Sequence, residues 1–242
     1  MGVKQKISKY DLPKEFQNFS FIETKDGISD TVYLLGKEYV LKIYEEWCDE
    51  VYILSLLDGL KVPKVVKEFE IDGRYAVIFT QIEGKSSDEY PLEVVRFLKR
   101  LHNKTKGKTT KNRKLFTKKR LEKLIEKSNQ DEFKRVYRSI DIELKDDGII
   151  HGDLFPDNAK FVGKNLSGVY DFSEACVGDF YFDLAVMVFS FSCDVDEALR
   201  EYGANIRKKE FLEYVKFAKL YYSVTRFLDG RDWKATFQEL ST

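Results

Sequence analysis

The sequence predicts an α+β chain of two lobes, a small antiparallel sheet carrying one helix and then a larger, mostly helical body. Three observations lead there. Residues 1–83 alternate short runs of β-forming residues with turn signals. One stretch among them switches to helical spacing. Beyond Gly84 the apolar residues recur at helical spacing almost throughout.

Taken in order, Phe19–Glu23 and Thr31–Leu35 read as strands around the loop Thr24-Lys25-Asp26-Gly27-Ile28-Ser29-Asp30. Gly36-Lys37 turns the chain into a third strand, Tyr39–Tyr44, rich in β-formers. From Glu45 to Asp58 the period changes: Trp47, Val51, Leu54 and Leu57 or Asp58 fall on one helical face, and Gly59 ends the helix. Val65–Ile71 and Tyr75–Thr80 flank Asp72-Gly73, a dipeptide that favours a two-residue hairpin turn. The first lobe, residues 1–83, therefore runs β-β-β-α-β-β. In the second, 84–242, Pro91 opens a helix to about His102, with Val94, Leu98 and Leu101 in register. Short strands bracket Ile149–Tyr170, and helices rich in Phe, Tyr and Leu follow from Asp179.

Composition narrows the class. The 242 residues are 43% hydrophobic and 14% aromatic, enough to bury a substantial core. Forty-one basic and 41 acidic residues cancel, which argues against a nucleic-acid partner. The basic run from Lys99 to Lys127 reads first as a solvated helical face and loop, with a phosphate-rich or anionic partner as the other reading. Cys48, Cys176 and Cys193 have neither disulfide nor zinc spacing and suit a reducing cytosol. The N-terminus lacks a secretory apolar run, and no stretch approaches the roughly 20 apolar residues of a membrane span. A soluble, cytoplasmic protein is expected, so the sequons at Asn18, Asn103 and Asn165 carry no glycan.

The chemistry lies in His151-Gly152-Asp153-Leu154-Phe155-Pro156-Asp157-Asn158, followed by Tyr170-Asp171-Phe172. Phosphoryl transfer needs an acceptor hydroxyl held in line with the γ-phosphorus, and divalent metal on the phosphate oxygens. Asp153 can orient the hydroxyl and accept its proton. Asn158 and Asp171 offer the hard oxygen donors that Mg²⁺ prefers. The Asp-Leu-x-x-x-Asn spacing with a later Asp-Phe resembles the catalytic and metal-binding loops of protein kinases. Lys42 lies inside the apolar strand Val40-Leu41-Lys42-Ile43, where it can reach the α- and β-phosphates of ATP, and Glu50 on the next helix can pair with it. The loop holding Gly27 and Ser29 is expected to cover the phosphates with backbone N–H groups. Thr80 to Glu83, including Ile82, is expected to form a hinge whose amides read adenine. Gly84-Lys85-Ser86 imitates a P-loop ending, but Phe79 stands where that motif needs glycine.

These segments, together with Gly178-Asp179-Phe180-Tyr181-Phe182-Asp183-Leu184-Ala185, resemble the aminoglycoside phosphotransferase and choline kinase superfamily, and most of all type II homoserine kinases. The resemblance implies a bilobal protein-kinase-like fold, Asp153 as catalytic aspartate, Asn158 and Asp171 as metal ligands, and Lys42 as the nucleotide lysine. It also implies that Asp183 and His151 brace the catalytic loop and that His102 is structural. Ser173-Glu174-Ala175 departs from the aromatic-rich sequence usual in homoserine kinases. Only eleven residues separate Asp171 from Asp183, which leaves no room for a protein kinase's activation loop. The expected acceptor is therefore the hydroxyl of a small molecule: homoserine first, then choline or ethanolamine, then an aminoglycoside or sugar. A nucleotide-binding pseudokinase is the contrary reading. Homoserine would need a cation for its carboxylate and an acid such as Glu174 or Asp179 for its ammonium. Choline would need an aromatic cage, for which Phe217, Tyr221, Tyr222, Phe227 and Trp233 are candidates, although their helical spacing reads first as core packing.

Overall fold

The computed structural model describes residues 6–24, 30–238 and 240. Strands β1 (Phe21–Glu23), β2 (Thr31–Leu35) and β3 (Tyr39–Ile43) form a meander. Helix α1 (Glu50–Leu56) follows, then the hairpin of β4 (Val65–Ile71) and β5 (Arg74–Thr80). The five strands pair antiparallel in the order β1-β2-β3-β5-β4. The hairpin turn is the expected one, since Asp72 and Gly73 both take positive φ, 49° and 73°.

Strand alternation sorts the side chains between two faces. Tyr33, Leu35, Leu41, Ile43, Ala76 and Ile78 fill one buried cluster, which Leu12 and Phe16 from the N-terminal segment cover. Val32, Leu34, Val40 and Lys42 take the opposite face and line a cleft. Lys42 is thereby buried, opposite Val32 and Val77 in the ladder.

Helix α1 is shorter than its apolar period predicts. It starts at Glu50 rather than Glu45, and Trp47, expected on its buried face, is 58% exposed. The reason is tertiary: Asp49 bonds a segment 61 to 63 residues away, and this holds the preceding residues out of the helix.

The second body begins with α2 (Pro91–Thr105), three residues longer than expected, then α3 (Lys118–Ser128) and α4 (Asp131–Arg138). The strands β6 (Gly148–Ile150), β7 (Ala159–Val162), β8 (Asn165–Val169) and β9 (Cys176–Gly178) pair as β6 with β9 and β7 with β8. Helices α5 (Phe180–Ser190), α6 (Val195–Tyr202), α7 (Lys208–Leu228) and α8 (Lys234–Gln238) follow. Every residue of α5 from Phe182 to Val188 is buried, so this helix is the axis on which the helical body packs. Among the described residues no helix is long and apolar enough to cross a membrane. All three cysteines are free thiols.

Gly84 lies between β5 and α2 with φ of 106°. A Cβ there would sit 2.2 Å from the carbonyl oxygen of Phe161, beside the bridge in which Lys85 and Phe161 exchange two backbone hydrogen bonds. Gly84→Ala should destabilise the protein by about 1–3 kcal/mol, measured as a lower urea midpoint with an unchanged slope.

Candidate active site

The site is built around a loop that leaves β6 at Ile150 and reaches β7 through a 3₁₀ turn at Pro156–Asn158. The fully buried carboxylate of Asp183, on α5, accepts the N–H groups of His151 and Gly152, both at 2.8 Å. His102 Nε2 adds a third contact at 3.0 Å. Burial would raise Asp183, but the bond from His102, the nearby imidazoles and the Gly152 amide hold it below the usual carboxylate range.

His151 Nδ1 accepts the N–H of Asp153 at 3.2 Å, and Nε2 faces the carbonyl of Tyr170 at 3.2 Å. A carbonyl only accepts and an amide N–H only donates, so the ring is the neutral Nε2–H tautomer. Burial lowers its pKa and keeps it so. Both ring nitrogens are thus engaged with backbone, one at Asp153 and one at Tyr170. Gly152 has φ of 81°, and a Cβ there would meet the Phe116 ring at 2.2 Å.

Asp153, thus aimed, lines the cleft. Burial, Glu174, Asp171 and Asp157 push its carboxyl well above the ordinary range. Asn158 donates through Nδ2 to the Asp153 carbonyl at 2.8 Å and reaches its Oδ2 at 3.2 Å. The carbonyl can only accept, so the amide orientation is set and Oδ1 points away from it. Asp171 adopts φ of 64°, a left-handed conformation that Asp tolerates better than most residues. Its Oδ1 accepts from Lys42 Nζ at 2.8 Å and Ser173 Oγ at 2.7 Å. Burial would raise Asp171, but Lys42 and Ser173 hold it far below the usual carboxylate range.

Lys42 also meets Glu50 at 3.0 Å and Asp30 at 3.5 Å. Desolvation favours the neutral amine, but three carboxylates outweigh it and raise Lys42 well above its ordinary value. Glu50 is fixed in turn by the Tyr44 hydroxyl at 2.6 Å and the Phe172 N–H at 2.8 Å. Sequence reasoning paired Lys42 with Glu50 but missed Asp30, which no motif marks.

A cleft of about 1060 Å³ joins these groups. At one end it runs under the sheet past Val32, Val40, Phe79 and Ile82, whose side chain packs over Gly168. At the other, Arg120, Glu174, Tyr221, Tyr222, Arg226 and Arg231 form its wall. Gln81 and Arg120 both line the cleft, and Gln81 Oε1 and Arg120 Nε are buried with no hydrogen-bond partner among the described residues. Such orphans call for a ligand or ordered water. Glu174 is raised by burial and by Asp171, against the pull of Arg120 and Arg231.

Several expectations fare differently. Gly27 and Ser29 lie outside the described residues. Thr80 lines the cleft, but its N–H donates to the Lys64 carbonyl at 2.9 Å and that of Gln81 to the Glu38 carbonyl at 2.7 Å, so the residues that lead into β4 and β3 use two of the amides expected to form a hinge. Asp179 cannot face a ligand: it caps α5 through the N–H groups of Tyr181 and Phe182 and accepts from Lys145. The five aromatics do not converge. Phe227 and Trp233 pack with Phe133, while Phe217, Tyr221 and Tyr222 belong to a cluster around Phe116 and Phe182. His102 is structural as expected, stacked on Phe180 at 4.1 Å and bonded to Tyr202 at 2.7 Å.

Comparison with known proteins bears on this arrangement. The profile described as "Phosphotransferase enzyme family" matches residues 21–212. A homoserine kinase of Methylocella silvestris is 30% identical, over 77% of this chain and 70% of that protein. One from Beijerinckia indica is 29% identical, over 66% of this chain and 61% of that protein. Among solved structures, the GDP complex of aminoglycoside 2'-phosphotransferase-IIIa superposes with a TM-score of 0.67 over 91% of this chain and 90% of that one, at 17% identity. A choline/ethanolamine kinase family protein from Mesorhizobium loti gives 0.65 over 92% and 85%, at 14% identity. These structures share the α+β two-lobed fold that the sequence predicted. The family match over most of the chain and the first relative place the identity: this chain belongs to the phosphotransferase enzyme family and is a small-molecule kinase.

Proposed function

We propose that the chain is an ATP- and Mg²⁺-dependent kinase that moves the γ-phosphoryl group to the hydroxyl of a small amino-alcohol of the homoserine kind. The observation that carries this reading is the convergence of Asp153, Asn158, Asp171 and Lys42 on one cleft, with Lys42 and Asp171 in contact across 129 residues of sequence.

The donor set fits a hard cation. Asp171 stays ionised, and Asn158 has an amide oxygen turned away from the bond that orients it. Among the described residues no three His, Cys, Asp or Glu form a metal cage, so the pair suits an ion that keeps water and phosphate oxygens as its other ligands, as Mg²⁺ does. When bound, the ion neutralises charge on the phosphate oxygens. Lys42 presents its ammonium to the α- and β-phosphates and Glu50 holds it there. Asp153 receives the acceptor's hydroxyl proton as that oxygen bonds the γ-phosphorus and the bond from phosphorus to the β–γ bridging oxygen breaks, releasing ADP. A carboxylate raised above its ordinary range is the better base near neutral pH.

For the acceptor, Glu174 and Arg120 supply opposite charges on one wall, as an α-amino acid needs, and the homoserine kinase relatives point the same way. The divided aromatic cluster weakens a choline reading. Such a reaction belongs in the cytoplasm, where ATP is abundant.

ADP release from Mg-ATP against L-homoserine, choline, ethanolamine, kanamycin and glucose tests the reading, with homoserine expected to turn over. Asp153→Asn should cost roughly 10²–10⁴-fold in kcat while calorimetry finds Mg-ADP affinity nearly unchanged; retained turnover would remove Asp153 from its role. Arg120→Met should raise the homoserine KM about tenfold or more and spare that for ATP.

The raised pKa of Asp153 fixes the sign of two pH effects. Turnover should fall with acidity at a pH above the ordinary aspartate value of about 3.9, because the base must be ionised. In stability, the group favours the folded state below its unfolded pKa and loses that contribution as pH rises through the folded one. Asp153→Asn should therefore melt above wild type at pH 8, with the gap closing toward pH 4.

A further inference from the structure

Residues 106–117 run from the end of α2 to the start of α3, within the basic stretch that the sequence reads as a solvated surface. In the structure this segment reaches across to the sheet side of the site. Asp49, the residue before α1, donates its N–H to Asn112 Oδ1 at 2.7 Å. Its Oδ2 accepts from Thr110 Oγ1 at 2.8 Å and from the Lys111 N–H at 2.9 Å. The other end of the Asn112 amide donates to the carbonyl of Ala175 at 2.7 Å, four residues beyond Asp171. With an acceptor bonded at one end and a donor at the other, the amide has a single orientation. Further along, the Leu115 carbonyl accepts from the Tyr221 hydroxyl at 2.9 Å, and the Phe116 ring covers Gly152 of the catalytic loop.

Two features give these contacts a purpose. An aspartate at a helix start ordinarily turns its carboxylate back on the helix's own amides, yet Asp49 makes no such bond and gives its oxygen to Thr110 and Lys111. The helix has only seven residues, too few to hold its place by local hydrogen bonding, and its first residue is Glu50, the partner of Lys42. Whatever fixes the N-terminus of α1 therefore fixes Glu50.

We propose that Thr110-Lys111-Asn112 is a permanent latch holding α1 against the loop that follows Asp171, and that Asn112 is a positioning residue acting on nucleotide binding through Glu50. This rests on the nucleotide role given above to Lys42 and Glu50. The latch does from within the chain what a mobile segment would otherwise have to do: it keeps α1 in the position where Lys42 meets Glu50 and Asp171 together.

The test uses the full chain with Asn112→Ala, and Thr110→Ala as a milder variant that removes one side-chain hydroxyl. Hydrogen exchange without ligand reads the latch itself. Peptides covering α1 should exchange about tenfold faster in Asn112→Ala, while those of α5 and β3 stay within about twofold of wild type. Thr110→Ala should give the same pattern at about threefold. Titration with Mg-ADP reads the consequence: affinity should fall about tenfold in Asn112→Ala, but by less than about twofold when the same change is made in a Glu50→Gln background. Unchanged α1 exchange, or acceleration spread evenly over the chain, would overturn the latch. A full further tenfold loss in the Glu50→Gln background would overturn its action through Glu50. A wild type that takes up no Mg-ADP would instead overturn the nucleotide reading, and the exchange arm would still judge the latch alone.

Discussion

Asp183 has no exposed surface and remains ionised, and the rest of the site is hung from that charge. A lone buried carboxylate is too costly to persist, so its donors have no freedom to leave. Two of them are the consecutive amides of His151 and Gly152, and a pair of neighbouring amides aimed at one carboxylate dictates how the chain turns. The turn demands the positive φ of Gly152 and leaves no room for a side chain beneath Phe116. From there the path to Asp153 is short, and His151 steadies it by accepting the Asp153 amide while bonding the Tyr170 carbonyl. The same imidazole thus ties the loop bearing Asp153 to the strand end that delivers Asp171.

The two aspartates, so close in the cleft, are driven in opposite directions by what surrounds them. Burial raises both. Asp171 has Lys42 and Ser173 as donors and is carried far down, while Asp153 has only the Asn158 amide against three neighbouring acids and is carried up. Neighbouring carboxylates whose proton affinities diverge are the usual sign of divided labour in a site. The division depends on Lys42, which faces Asp30, Glu50 and Asp171 at once. Three acids to one cation leave this end of the cleft short of positive charge, an environment hospitable to a cation and hostile to unaccompanied phosphate.

Much of this was legible because it is local. The run His151–Asn158 carries its own spacing, and Asp72-Gly73 its own turn. What was illegible depended on competition between a local bond and a distant one. Periodicity continued α1 back to Glu45 because it could not see Asn112 drawing Asp49 away. Thr80 sits where a hinge was expected, but the Lys64 carbonyl claims its amide. Asp179 and Glu174 looked alike as loop acids; one became a helix cap, the other the wall of a cleft. Asp30 has no motif at all, and only the folded sheet brings it to Lys42.

The eleven residues between Asp171 and Asp183 carry this logic furthest. Ser173 bonds Asp171, the Ala175 carbonyl takes Asn112, Cys176–Gly178 pairs with β6, and Asp179 caps α5. Pinned at each of these points, the segment could not move without breaking bonds on both sides of it. A switch needs an element with two states of comparable energy, and here the element that would have to move is held by α1 on one side and the helical body on the other.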